Sequence, residues 1–288
     1  SIFYSKAGNT YKIKDSTGGG SSGDTSYRPR TWVFVLSGQS NAWGANDANS
    51  LDTAANSRVL VWNHAETVPQ WRTFRINQRP LRTLTYNAID GGSYNTQWAG
   101  SNNHTFYFAK KFANEHPNDT VKVIMAIGDG SPISSWFYST PQKYLDSITT
   151  RVTASGVSQV DGFIWDQGEA NVSSGSNVYK QAFDSIKQVL RRQTWFPRTT
   201  PIVVVGMPQV ADGGSATYVG MDTLLRWMDK GDDVWVGYAR TDSCLVDNNQ
   251  VHFDTLSMKK IGEQRIWQAF HSLPHRFAEL WSGFTTDT

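Results

Sequence analysis

Six short apolar, strand-like runs alternate with amphipathic helical stretches along this chain, and that alternation restricts the fold more than any other feature. The runs cover residues 32–37, 59–62, 121–127, 162–166, 201–207 and 234–237, and helical patterning predicts helices over 104–115, 141–154, 177–192, 216–228 and 257–271. The first run, Trp32 to Leu36, is apolar at every position, as expected of a strand covered on both faces. The expected fold class is α/β: a central parallel sheet with helices on both sides.

Length and composition narrow the organisation. Two domains would fit within 288 residues, but an α/β fold of this size often runs as one. Residues 1–30 read as a tether: the first 14 suit a short hairpin, and STGGGSSGDTSYRPR has linker composition. Residues 31–288 read as one domain with an irregular insertion at about 63–103, the kind of segment that is usually functional or a small subdomain. The chain starts at Ser1 with neither a basic nor an apolar leader, as expected of a mature form or an excised module.

Lys plus Arg number 27 against 25 acidic residues, a net charge of +2, so no counterion-releasing nucleic-acid surface is expected and the partner should be weakly charged or uncharged. No apolar run approaches the ~20 residues of a membrane span, and a single cysteine, Cys244, excludes an internal disulfide framework and any multi-thiolate metal site. Aromatic residues are abundant at 13%, and Trp43, Trp98 and Trp136 fall in expected loops where flat rings suit sugar faces. Most such rings are nonetheless expected in the core.

The strand ends carry the chemistry. The first run stops abruptly in Ser37-Gly-Gln-Ser40-Asn41, which presents a hydroxyl at the carboxyl end of a strand, where open α/β sheets keep their ligand sites. A serine hydroxyl needs a base to take its proton and donors to receive the developing oxyanion. The third run ends in the glycine turn GDGSPISSW (128–136), and the fourth in QGEAN (167–171). Near the carboxyl end, DNNQVHFDTLS (247–257) places His252 in a loop ahead of the last helix; the other five histidines have no comparable setting. Each residue alone has an ordinary structural use as turn former or cap. The ordered set of nucleophile, glycine turn, amide turn and histidine points to catalysis.

GQSN, GDGSPISSW, QGEAN and VHFDTLSMKKIGEQ, in this order, resemble the four blocks of SGNH (GDSL-like) hydrolases, closest to the branch of sialate O-acetylesterases and related carbohydrate acetylesterases. The likeness spans about Thr31 to Phe270. It implies a flavodoxin-like three-layer α/β/α sandwich and hydrolysis of a sugar O-acetyl ester. It makes Ser40 the nucleophile, His252 the base, and the oxyanion hole the backbone N–H groups of Ser40 and Gly130 with the Gln167 side chain; Asn171 is the alternative donor. Asp129 stands where the family has glycine. A carboxylate facing an oxyanion would oppose its formation, so Glu169 is assigned to fixing neighbouring loops.

The fourth block departs from the family. The usual acid lies three residues before the histidine, where this chain has Asn249. Three arrangements remain open. A two-residue insertion lets Asp247 orient His252, the site is a Ser-His dyad with a main-chain carbonyl as partner, or Asp254 serves as acid although it suits a helix cap.

The mechanism implied by the resemblance requires no cofactor, metal or organic. Its partner is an acetylated carbohydrate, with no nucleic acid or membrane involved. The tether suggests a homo-oligomer or attachment to a larger assembly, extracellular or virion-associated, such as a tailspike or a secreted polymer-degrading enzyme. A carbohydrate-binding or structural module of lapsed chemistry is the competing reading. A lipase or peptidase fits poorly, because Gly-x-Ser-x-Gly is absent around Ser40.

Overall fold

The computed structural model describes residues 4–7, 10–13, 29–44, 54–64, 68–76, 102–128, 130–137, 143–173, 176–208, 216–228, 233–247 and 251–273. The expected amino-terminal hairpin is present as β1 (Tyr4–Ala7) and β2 (Thr10–Ile13), paired antiparallel. Residues 16–28 of the linker sequence after it lie outside the described residues, as does Trp98.

The main sheet comprises β3 (Thr31–Gly38), β4 (Val59–Asn63), β5 (Gln70–Thr73), β6 (Thr120–Ile127), β7 (Gly162–Asp166), β8 (Ile202–Val205) and β9 (Val236–Ala239), in the order β5-β4-β6-β3-β7-β8-β9. All neighbours are parallel except β4 and β5. The antiparallel edge strand β5 lies within the stretch 63–103 that reads as irregular: Gln-Trp-Arg-Thr is a partly exposed edge with no apolar run to announce it.

Along β3 the side chains alternate between two cores, which explains its unbroken hydrophobicity. Trp32, Phe34 and Leu36 face one cluster with α2 (His104–Glu115) and with the final helical stretch. That stretch runs through α7 (Thr255–Lys260), a π-helical segment (Ile261–Ile266) and α8 (Trp267–Ser272). Phe34 meets Phe108 and Phe270 edge-on, with ring centres 4.9 and 5.4 Å apart. Val33 and Val35 face the other cluster, built with α3 (Ser134–Phe137), α4 (Lys143–Ala154), α5 (Ser176–Arg191) and α6 (Ala216–Met228). The result is the expected three-layer α/β/α sandwich.

The amino-terminal edge of β3 is riveted to both neighbours. The Arg30 backbone N–H donates to Asp119 at 2.8 Å, while its guanidinium donates to Asp161 at 2.7 Å and lies 3.8 Å from the centre of the Trp32 ring. The same two carboxylates accept from Trp32 Nε1 and from the Val33 N–H, each at 2.8 Å. At the opposite end β3 stands between β6 and β7. The chain leaves β3 for β4 on one side of the sheet, returns through β6, then builds outward from β7 on the other. The carboxyl end of β3 is thus the topological switch point, where a crevice forms above the sheet.

Candidate active site

Ser40 opens the one-turn helix α1 (Ser40–Trp43) directly after β3 and is only 5% exposed. The turn before it is wedged between the neighbouring strand ends: the Gln39 N–H donates to the Asp166 carbonyl and the Gly128 N–H to the Gly38 carbonyl, both at 2.9 Å. Gly38 has φ +153°, and a Cβ there would overlap the Asp166 carbonyl, so a glycine is needed for this close approach.

The second and third motifs meet the first. Gly130 has φ +58°, and a Cβ at this position would meet no atom within 4 Å, so the turn faces open space next to the end of β6. Its neighbour Asp129 lies outside the described residues. Gln167, just after β7, points its Nε2 at three acceptors: Gln39 Oε1 at 3.1 Å, the Ser131 carbonyl at 3.2 Å and Asn171 Oδ1 at 2.7 Å. This amide therefore sits between the residue before Ser40 and the residue after Gly130. Asn171 Oδ1 also accepts from the Ile133 N–H at 2.8 Å, which ties the QGEAN turn to the glycine turn.

His252, 8% exposed, lies on a tight antiparallel excursion between β9 and α7. Val246 bridges Phe253, the Asp247 N–H donates to the His252 carbonyl at 2.9 Å, and the Asp254 N–H donates to the Leu245 carbonyl at 2.9 Å. In this register Asp247 is directly opposite His252, and opposed residues in an antiparallel pair project to the same face. Asn249 lies outside the described residues. Asp254 caps α7, its carboxylate accepting from the Ser257 N–H at 2.7 Å.

Beneath these residues is a buried polar network that motif reading only half anticipated. Glu169 points at Asn41, whose Nδ2 donates to Glu169 Oε1. Its other oxygen, Oε2, is buried with no hydrogen-bond partner among the described residues. Burial, and secondarily the charge of Asp166, pushes the Glu169 carboxyl up to about 8 from an ordinary 4.5. His104 belongs to the same layer: its ring is fully buried, with Nε2 2.9 Å from Asp166 Oδ2 and Nδ1 3.1 Å from Thr105 Oγ1. The sequence gives His104 no setting comparable to that of His252. The only hint is its place at the start of a predicted helix, and the partner is 62 residues away.

Residues 30–271 match the family described as carbohydrate esterase, sialic acid-specific acetylesterase. The chain belongs to this family. It is a serine-type carboxylic ester hydrolase on a three-layer α/β/α fold. Among solved structures it resembles a protein from Arabidopsis thaliana (TM-score 0.63, 19% identity, 85% of this chain and 99% of that one). It also resembles NanS (TM-score 0.55, 12% identity, 88% and 98%). A third likeness is to a carbohydrate acetylesterase from Xanthomonas citri (TM-score 0.54, 17% identity), covering 83% of this chain but 56% of that one. At these identities the likeness is one of fold. Comparison with curated protein sequences gave no significant match.

In this esterase Trp136 is fully buried and donates from Nε1 to Ser37 Oγ at 3.0 Å, and Trp43 is buried as well. Both belong to the core beneath the crevice and present no free face to a sugar. No helix among the described residues is long and apolar enough to cross a membrane.

The raised Glu169 carboxyl sets a pH dependence of stability. Its contribution is present in full below the ordinary value of 4.5 and is lost as pH rises through about 8, because the unfolded chain ionises first and the folded chain resists. Glu169→Gln mimics the protonated form. Its thermal midpoint should coincide with that of the parent at the acid end of this window and lie increasingly above it towards the alkaline end. Two parallel midpoint curves would show that Glu169 does not titrate in this way.

Proposed function

We propose that the protein removes acetyl groups from an O-acetylated sugar or polysaccharide through a Ser-His-Asp acyl-enzyme mechanism. The observation that carries this reading is the position of Gln167 Nε2, shared between Gln39 Oε1 and the Ser131 carbonyl, at the meeting point of the Ser40 turn and the Gly130 turn. His252 takes the Ser40 proton as the hydroxyl attacks the acetyl carbonyl. The Ser40 and Gly130 N–H groups and the Gln167 amide hold the tetrahedral oxyanion. The sugar alcohol leaves with the proton from His252, and water then attacks the acetyl-enzyme along the same path. Asp247, opposite His252 in the loop, orients the imidazole. The Gly/Ser composition of residues 16–23 supports a tethered module of an extracellular or virion-borne assembly acting on a polymer.

Incubation with a panel of O-acetylated glycans, read as released acetate, tests the substrate class. Glycan binding with no acetate release, and no turnover of an aryl acetate, would instead indicate a binding module of lapsed chemistry. Gln167→Ala should lower kcat by roughly 10²-fold with KM nearly unchanged, since an oxyanion donor acts mainly in the transition state. Gln167 Nε2 has two N–H groups for three acceptors, so a hydrogen turns to the oxyanion only when two of these contacts are given up. Asn171→Ala should cost far less in kcat; the reverse order would move the donor role to Asn171.

A further inference from the structure

We propose that Asn41 is a positioning residue that fixes the loop carrying His252, and that Glu169 holds the Asn41 carboxamide in the orientation this requires. The catalytic consequence rests on the esterase reading above, whereas the clamp itself is a matter of hydrogen bonding. Asn41 is fully buried. Its Oδ1 accepts from the Phe253 N–H at 3.0 Å and its Nδ2 donates to the Val251 carbonyl at 3.2 Å, so one side chain grips the backbone on both sides of His252. In an extended segment the carbonyl of one residue and the N–H two residues on point to the same side, and the groups of the residue between point to the other. That other side is also occupied, since the His252 carbonyl accepts from the Asp247 N–H at 2.9 Å. The peptide bearing His252 is thus held from both edges, by backbone on one and by the Asn41 carboxamide on the other.

The orientation of that carboxamide is determined by its surroundings. Nδ2 faces two acceptors, the Val251 carbonyl and Glu169 Oε1, while Oδ1 faces one donor, the Phe253 N–H. Turning the amide over would set oxygen against two oxygens and nitrogen against an N–H. Glu169 supplies one of those two acceptors. Asn41 also directly follows Ser40 in the chain, so the nucleophile is linked to a loop 212 residues away through a single intervening side chain. Aspartate would keep the acceptor and lose the donor, alanine would lose both, and glutamine would add a methylene that a fully buried site has no room for.

The test uses the intact protein with 4-nitrophenyl acetate as substrate, together with hydrogen exchange of backbone amides. Asn41→Ala should lower kcat by roughly 10²-fold through misplacement of the base, with KM changed by less than about threefold. The Phe253 N–H should exchange at least about tenfold faster while the β3 amides keep their protection. Assayed at pH 9, where Glu169 is ionised, Asn41→Asp sets one carboxylate against another and should be at least as damaging. Combining it with Glu169→Gln, which moves the donor to the other side of that contact, should recover roughly tenfold in kcat over Asn41→Asp alone. A kcat for Asn41→Ala within about threefold of the parent would overturn the proposal. So would a loss accompanied by equal exchange in β3, which would mark general loosening of the fold, and a double variant no better than Asn41→Asp would remove Glu169 from the clamp. If the parent protein left 4-nitrophenyl acetate untouched, the esterase reading would fall, and the exchange data would still decide the clamp: faster exchange confined to Phe253 supports it, and unchanged exchange overturns it.

Discussion

Ser40→Ala should abolish acetate release, with kcat falling by about 10⁶-fold, the scale seen when a serine hydrolase loses its nucleophile. The thermal midpoint should barely move. Alanine retains the Cβ and the one-turn helix, whose hydrogen bonds run from the Trp43 N–H to the Gln39 carbonyl at 3.2 Å and from the Gly44 N–H to the Ser40 carbonyl at 3.1 Å, and neither uses the hydroxyl. His252→Ala should lose as much, and the double variant should be no worse than either single one, because the two residues act as a unit. Additive losses would refute that coupling, and substantial turnover by Ser40→Ala would exclude Ser40 as nucleophile.

Asp247→Asn should lower kcat by about 10⁴-fold, as the corresponding change does in a serine protease, because the amide favours the wrong imidazole tautomer. The loop offers a clean background for this experiment. The backbone hydrogen bonds that shape it, from the Asp247 N–H to the His252 carbonyl and from the Asp254 N–H to the Leu245 carbonyl, are left in place by the substitution. Loss of the negative charge beside the ring should also shift the acid limb of kcat/KM to lower pH, since a neighbouring carboxylate favours the protonated imidazole. Asn249→Asp should do little, or harm by adding a second carboxylate. In a Ser-His dyad, Asp247→Asn would cost less than about tenfold and Asn249→Asp would raise activity. Asp254→Asn, by contrast, should reduce stability by about 1 kcal/mol or less through its cap on α7, with little effect on turnover; a large rate loss there alone would make Asp254 the acid.

Where an element is specified by local pattern, the sequence predicted it closely. The helices at 104–115 and 216–228 match the observed α2 and α6, and the continuous apolar runs became the buried strands β3, β4, β6 and β7. The last strand begins two residues later than its apolar pattern suggests. Asp233 organises a turn there, accepting from the Trp235 N–H on its side chain at 3.0 Å and from the Val236 N–H on its carbonyl at 3.1 Å. The short edge strand β5 was illegible because its pairing with β4, and not its own composition, makes it a strand.

The site divides in the same way. Ser40, Gly130, Gln167 and His252 stand out because each occurs in a short motif at a strand end or before a helix. Asn41 was visible only as a letter within GQSN, and His104 only as one of six histidines. Their parts depend on Val251, Phe253 and Asp166, contacts that only the closed sheet creates. The aromatic loop candidates illustrate the converse: Trp136 has loop-like neighbours in sequence, yet the fold packs it against Trp165 and Tyr144 in the core.

The rivet at Arg30 has a mechanical consequence. The chain enters the sheet at one end of β3 and the Ser40 turn leaves from the other, so the Arg30 rivet and the Ser40 turn lie at opposite ends of one central strand. A pull between these two ends would load β3 along its own axis. Its rungs to β6 and β7 then bear the force together in shear and do not unzip one at a time, and the two carboxylates at Arg30 take up the first of the strain.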